Sequence, residues 1–176
     1  GRPSVMVLRP ADAEETTAAW KMAMENIYTP TALILSRQDV TSVPNTSAEG
    51  VKKGAYIVSQ DENPQVVMIA SGSEVSTLMA GAELLRAEGI RLQIVSVPSE
   101  AIFRQQSKEY QAEVLPQGVT RFGLTAGLPC NLEGLVGEHG TVWGLNSFGF
   151  SAPYKVLDEK LGFTAQNVYD QVKKLL

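Results

Sequence analysis

Cysteine and histidine occur once each in the 176 residues, as Cys130 and His139. A lone cysteine excludes an intrachain disulfide and reads as the usage of a reducing compartment. One of each also excludes a metal site built on several sulfur or imidazole ligands. The carboxylates could hold only a hard cation, and no spaced Asp/Asn cluster points to one. Blocks of like charge are absent, and 15 Lys and Arg against 19 Asp and Glu leave a formal charge of -4. That balance excludes a general attraction to phosphate backbones or acidic lipid, so no nucleic acid partner is expected. No apolar run approaches the roughly 18 residues needed to span a bilayer, and the first residues lack the regions of a secretory signal. No membrane partner is expected, and the expected location is cytoplasmic.

What is present is the composition of a packed globular chain, 44% hydrophobic and 19% charged, long enough to bury one substantial core. Gly1 stands where a natural start would carry methionine. It is read as a tag scar or the cut end of a longer chain, and the residues after it favour the cut.

"SVMVLRP" (4–10) reads as a short strand and "ADAEETTAAWKMAMEN" (11–26) as a helix. Asp12 is placed to cap that helix with Glu15 closing a capping box, and Thr17, Trp20, Met24 and Ile27 recur at helical spacing. "TALILSR" (31–37) reads as a second strand. One strand-helix-strand unit is too small to bury both faces of a sheet, so residues 1–40 read as the last piece of a larger α/β domain. Residues 41–53, with Pro44, Asn45, Ser47 and Gly50 and no apolar periodicity, read as a linker.

From residue 54 to 176 strands and helices alternate. "AYIVS" and "QVVMIAS", joined by "QDENP", predict a hairpin and hence one antiparallel edge strand. "EVSTLMAGAELLRAEG" predicts a helix with Val75, Leu78, Met79, Ala82 and Leu85 on one face, Ser73 as cap and Gly89 as stop. "RLQIVSV", a helix over 100–115, "TRFGLTA", a helical turn near "NLEGLVGEH" and "TVWGLN" continue as parallel crossovers. Two helices close the chain, one begun by a cap and first-turn proline in "SAPYKVLDEKLG", the other capped by Thr164 with Phe163 stapled to Val168.

Four stretches could carry chemistry. "ASGSEVS" (70–76) has the strand, glycine turn and helix start that offer N–H groups to an anion, but no Gly-Lys-Ser/Thr signature is present and Glu74 already puts negative charge there. A structural cap is the preferred reading. "SFGFSAP" (147–153) follows the last strand at the edge where open α/β sheets bind ligands; its aromatics suit a pocket, and packing explains them equally simply. Glu133, Glu138 and His139 suggest acid-base work, yet no nucleophile is spaced for them and a solvated loop is preferred. Arg37, at the end of the second strand, can present paired donors to a phosphate or carboxylate or form a surface salt bridge, and spacing alone leaves both open.

Taken in order, "LRPADAEETTAAWKMAME", "PTALILSRQ", "IASGSEVSTLMAGAELLRAEGIRLQIVSVPS", "VLPQGVTRFGLTAG" and "GFSAPYKVLDEKLGFTAQNV" resemble the C-terminal end of transketolases over essentially the whole chain. The resemblance implies that residues 1–40 are the tail of the pyrimidine-binding domain and residues 54–176 the C-terminal domain. That domain is a three-layer α/β/α sandwich on a five-stranded, mostly parallel sheet with one antiparallel edge strand. The family transfers a two-carbon ketol unit between ketose and aldose phosphates in the pentose phosphate pathway, as a homodimer using thiamine diphosphate and a divalent cation, Mg or Ca. The resemblance puts Arg37 on the arginine of the "LSRQ" motif, which binds the substrate phosphate. It implies no catalytic, cofactor-binding or metal-binding residue in this stretch, because the metal and pyrimidine motifs belong upstream, and the stretch alone is expected to be inactive. Thr125, Asn146 and Ser147 depart from the family's usual residues. The corresponding piece of a deoxyxylulose-phosphate synthase or ketoacid dehydrogenase β-subunit, and a free-standing small-ligand or interaction module, are the competing readings.

Overall fold

Pro10 cannot continue a ladder, and the first strand, β1 (Met6–Leu8), ends two residues before it. In the computed structural model, which describes residues 4–176, helix α1 (Ala13–Glu25) follows and strand β2 (Thr31–Leu33) returns parallel to β1, with Met6 opposite Thr31 and Leu8 opposite Leu33. Gly1 lies outside the described residues. Asp12 caps α1 by accepting from the Glu15 N–H at 3.0 Å, and the Glu15 carboxylate reaches back to the Ala11 N–H at 2.7 Å, one residue earlier than a capping box requires.

Two expectations for this unit are corrected. The buried face of α1 is Glu15, Ala18 and Ala19, whereas Trp20, Met24 and Ile27 are 53%, 81% and 80% exposed. Small side chains let α1 lie close against helix α2 (Ala48–Lys53), which leaves the bulky stripe outside. The second strand also stops at Leu33 instead of running to Arg37. Its last ladder bond, Ile34 N–H to Leu8 O at 2.9 Å, uses the final residue that β1 offers. Helix α2 lies inside the stretch read as a linker, capped by Ser47 and ended by Gly54 at φ +83°.

The second sheet contains β3 (Tyr56–Gln60), β4 (Val66–Ala70), β5 (Leu92–Ser96), β6 (Thr120–Leu124) and β7 (Thr141–Trp143) in the order β3-β5-β4-β6-β7. All neighbours run parallel except β3 and β5. The antiparallel edge strand is present, but not through a hairpin. Strand β3 pairs with β5, Tyr56 opposite Ser96, because both edges of β4 are occupied by β5 and β6. Asp61 steers the connection: its N–H donates to Leu92 O at 2.9 Å and its carboxylate accepts from the Leu92 N–H at 2.9 Å, which ties the turn to β5 first.

Residues of β4 alternate between two cores, as the strand period requires. Val66, Met68 and Ala70 pack with Leu78, Ala82 and Leu85 of α3 (Glu74–Ala87), with Val168 and Val172 of α8 (Ala165–Leu175), and with Leu8, Ala18 and Ala19. Val67 and Ile69 face Phe103 of α4 (Glu100–Phe103), Val114 of α5 (Lys108–Val114) and Leu132, Leu135 and Val136 of α6 (Cys130–Val136). The result is a three-layer α/β/α sandwich with the β1-α1-β2 unit joined to one of its cores. The helix expected over 100–115 is two helices, since the Ser107 hydroxyl accepts from the Tyr110 N–H at 3.1 Å and starts a new one. Helix α7 (Tyr154–Leu161) carries Pro153 at the cap position, one residue before its first turn. Thr164 caps α8 as the sequence predicts. Ser73 does not cap α3; its backbone is already helical, and its hydroxyl donates to Glu74 Oε1 at 3.4 Å.

Candidate functional site

Arg37 sits four residues past the end of β2, on an exposed segment. Among the described residues its guanidinium makes no hydrogen bond or ion pair. It lines a cavity of about 490 Å³ that is also lined by the turn into α3, with Gly72, Ser73, Glu74 and Thr77, and by helix α7, with Tyr154, Leu157 and Asp158. Gly149 and Phe150 of the "SFGFSAP" stretch line the same cavity, so the fold brings together two candidates that are more than a hundred residues apart. Burial, and then the charge of Glu74, pushes the Asp158 carboxyl up from its ordinary range.

Arg9 also lines that cavity and is the centre of an interlock. Its Nη1 donates to Ser71 O at 2.5 Å and Ser71 Oγ at 3.1 Å, and it is ion-paired with Glu74. Its backbone is held as well: the Arg9 N–H donates to Pro98 O at 2.8 Å, and Arg9 O accepts from the Gly72 N–H at 3.1 Å. Gly72 is at φ +65°, and a Cβ there would lie 2.9 Å from the Arg9 guanidinium carbon. The glycine turn of "ASGSEVS" is thus shaped to admit an arginine, and the anion at the start of α3 is a protein carboxylate. Sequence reasoning misses this pair. Both residues have a local explanation, and no spacing rule links partners 65 positions apart.

Two buried carboxylates fasten the start of α1 to the α2 approach and to the second sheet. Asp12 Oδ2 accepts from the Val43 N–H at 3.0 Å and the Thr46 hydroxyl at 2.8 Å. Glu15 Oε1 accepts from Tyr56 OH at 2.7 Å and Ser96 Oγ at 2.6 Å. Glu15 is fully buried, and desolvation holds its carboxyl above the ordinary glutamate value near 4.5, against the lowering effect of the hydrogen bonds from Ser96, Tyr56 and Ala11.

The remaining candidates are not gathered at this cavity. Glu133, Glu138 and His139 are exposed on and after α6 and do not line it. A second cleft, of about 830 Å³, lies at the ends of β4, β5 and β6, with Arg9 and Arg104 on its walls. Both guanidiniums already face carboxylates, Arg104 at 2.7 Å from Glu100. Thr125 is buried there, and its Oγ1 accepts from the Gly127 N–H at 3.1 Å. Among the described residues no group of three or more His, Cys, Asp or Glu is placed to hold a metal. No described helix is long and apolar enough to cross a membrane.

A three-layer sandwich on a 2-1-3-4 parallel core with one antiparallel edge, joined to a parallel strand-helix-strand unit, defines an α/β domain of the open-sheet class. Residues 54–164 match the model of the transketolase-like TK C-terminal domain, and the chain belongs to that family. Transketolase from Geobacillus stearothermophilus is 44% identical over 180 residues, a match covering 99% of this chain and 27% of the relative. The structure of transketolase from Leishmania mexicana superposes with a TM-score of 0.92 at 39% identity, over 98% of this chain and 25% of that one. Transketolase from Pichia stipitis in complex with sedoheptulose-7-phosphate superposes with a TM-score of 0.91 at 33% identity, again over 98% and 25%. The chain spans about a quarter of the length of these relatives.

Proposed function

We propose that the chain is the C-terminal portion of a transketolase, and that the whole enzyme moves a two-carbon ketol unit from a ketose phosphate to an aldose phosphate. In this reading residues 1–40 close the pyrimidine-binding domain, 41–53 connect, and 54–176 are the C-terminal domain. Thiamine diphosphate supplies the stabilised carbanion and, with a Mg or Ca ion, is held by upstream parts of the enzyme. The enzyme works as a cytoplasmic homodimer in the pentose phosphate pathway, and the 176 residues alone do not turn over sugar phosphates.

Arg37 is the substrate-binding residue of this portion. The observation that carries the assignment is an exposed guanidinium that has no hydrogen-bond or ion-pair partner among the described residues and lines a cavity large enough for a phosphate ester. An arginine kept free of carboxylates has its forked donors available for an anion, which a surface salt bridge would not. The sugar phosphate bound in the Pichia stipitis structure supports the substrate class.

The test is steady-state kinetics of Arg37→Ala in the complete enzyme. Loss of a charge-assisted contact of roughly 1.5 to 3 kcal/mol raises KM for phosphorylated donors about ten- to a hundredfold, and far less for a donor without phosphate. Equal losses for both donor types would overturn the assignment.

A further inference from the structure

Among the described residues, hydrogen bonds hold the segment that carries Arg37 at its two ends only. Ile34 donates its N–H to Leu8 O at 2.9 Å, and Val43 donates its N–H to Asp12 Oδ2 at 3.0 Å. Between them, residues 35–42 make no hydrogen bond among the described residues. Among the described residues, the hydrogen-bonded anchors of the stretch that carries Arg37 are therefore Ile34 and Val43. The acceptor for Ile34, Leu8, immediately precedes Arg9, whose backbone and side chain are locked to the loops after β4 and β5. Glu74 completes that lock from the first turn of α3, in the other sheet's layer.

We infer that Glu74 is a positioning residue for Arg37, acting through Arg9 and the end of β1. The inference rests on the reading of Arg37 as the partner of the substrate phosphate. It assigns the C-terminal sandwich a role in the reaction without any contact to the reacting atoms: its α3 turn fixes the strand from which the anion-binding arginine hangs. With Glu74 neutral, the Arg9 guanidinium loses its charged partner, and the Ser71 contacts and the Arg9 backbone bonds to Pro98 O and from the Gly72 N–H are left to hold the end of β1 against the loop over Gly72. An anchor displaced by a fraction of an ångström re-aims a side chain three residues further on, and misplacement of that order weakens a directional contact.

The experiment compares Glu74→Gln, Arg37→Ala and the double variant in the complete enzyme, using a phosphorylated ketose, a donor without phosphate, and inorganic phosphate as competitive inhibitor. Glu74→Gln is expected to raise KM for the phosphorylated donor and the inhibition constant of phosphate together, about three- to tenfold, while kcat and KM for the other donor move less than about twofold. The double variant is expected to match Arg37→Ala, because the two changes act on one contact. Arg9→Lys, which keeps a positive charge but loses the spread of the guanidinium across Ser71 and Glu74, should reproduce the selective rise and serves if Glu74→Gln does not fold. If Arg37→Ala is selective and neither Glu74→Gln nor Arg9→Lys is, or if the double variant is additive, the positioning role is wrong and the Arg37 assignment stands. If Arg37→Ala is itself unselective, the assignment falls and the positioning role with it.

Discussion

The Tyr56 hydroxyl donates to Glu15 Oε1 at 2.7 Å, joining the edge strand of one sheet to the first turn of a helix that belongs to the other. The same oxygen accepts from Ser96 Oγ at 2.6 Å, so the carboxylate bridges β3 and β5 to α1 from inside the core. Tyr56→Phe deletes one donor to a buried acid while keeping the ring that packs over Gly50. The expected loss is about 1.5 to 3 kcal/mol in urea unfolding, with little change in the denaturant slope. A loss below about 0.5 kcal/mol would show that the Ser96 and Ala11 contacts satisfy Glu15 by themselves.

Glu15 also predicts a pH dependence. Its native pKa lies above its ordinary value, chiefly through burial, so the folded protein binds this proton more tightly than the unfolded chain does. The contribution of the group is then full below about pH 4.5 and declines as pH rises through the native pKa, after which it is level. Glu15→Gln removes the titration. The stability of the unsubstituted protein minus that of Glu15→Gln should therefore shrink as pH rises above about 4.5, measured by chemical denaturation at each pH. A difference that grows with pH would mean that the three donors stabilise the anion more than burial penalises it.

Gly81 lies in the middle of α3, where alanine would normally be the better helix former by up to about 1 kcal/mol. Here a Cβ would fall 2.5 Å from Val168 Cγ1 on α8, a fully buried side chain, with the Ala165 carbonyl oxygen at 3.3 Å. Overpacking of that kind costs about 1 to 3 kcal/mol, so Gly81→Ala should be net destabilising by roughly 1 to 2 kcal/mol in thermal or urea unfolding. Pairing it with Val168→Ala should recover part of the loss; a simple sum of the two losses would mean that the helices already have room to part.

Arg37→Lys separates charge from shape at the proposed anion contact. An ammonium keeps the attraction but not the planar pair of donors. KM for a phosphorylated donor should fall between that of the unsubstituted enzyme and Arg37→Ala, by about three- to tenfold from either. Full recovery by lysine would mean that the site reads charge alone.

Local pattern carries much of this molecule. The alternation from residue 54 onward, the Asp12 and Thr164 capping positions and the buried face of α3 are all visible as spacing, because each reports what a segment does with its own backbone and its own apolar side. The cap at Ser107 is not visible in this way, since a serine inside an amphipathic run gives no sign of whether it interrupts a helix until the sheet fixes how far the helix must reach. Arg37 is legible as a charge after an apolar stretch, and the ordered motifs identify the family. What the tertiary structure alone decides is which distant groups meet: that β3 lies against β5, that Arg9 threads over Gly72 to Glu74, that Glu15 is received by Tyr56 and Ser96, and that Phe150 shares a cavity with Arg37. The stripe of Trp20, Met24 and Ile27 makes the same point in reverse, for periodicity identifies an apolar face but not which of two faces the rest of the molecule covers. A strand edge, a charged tip or an apolar stripe has many chemically equivalent partners along a chain, and only closure of the whole fold selects among them.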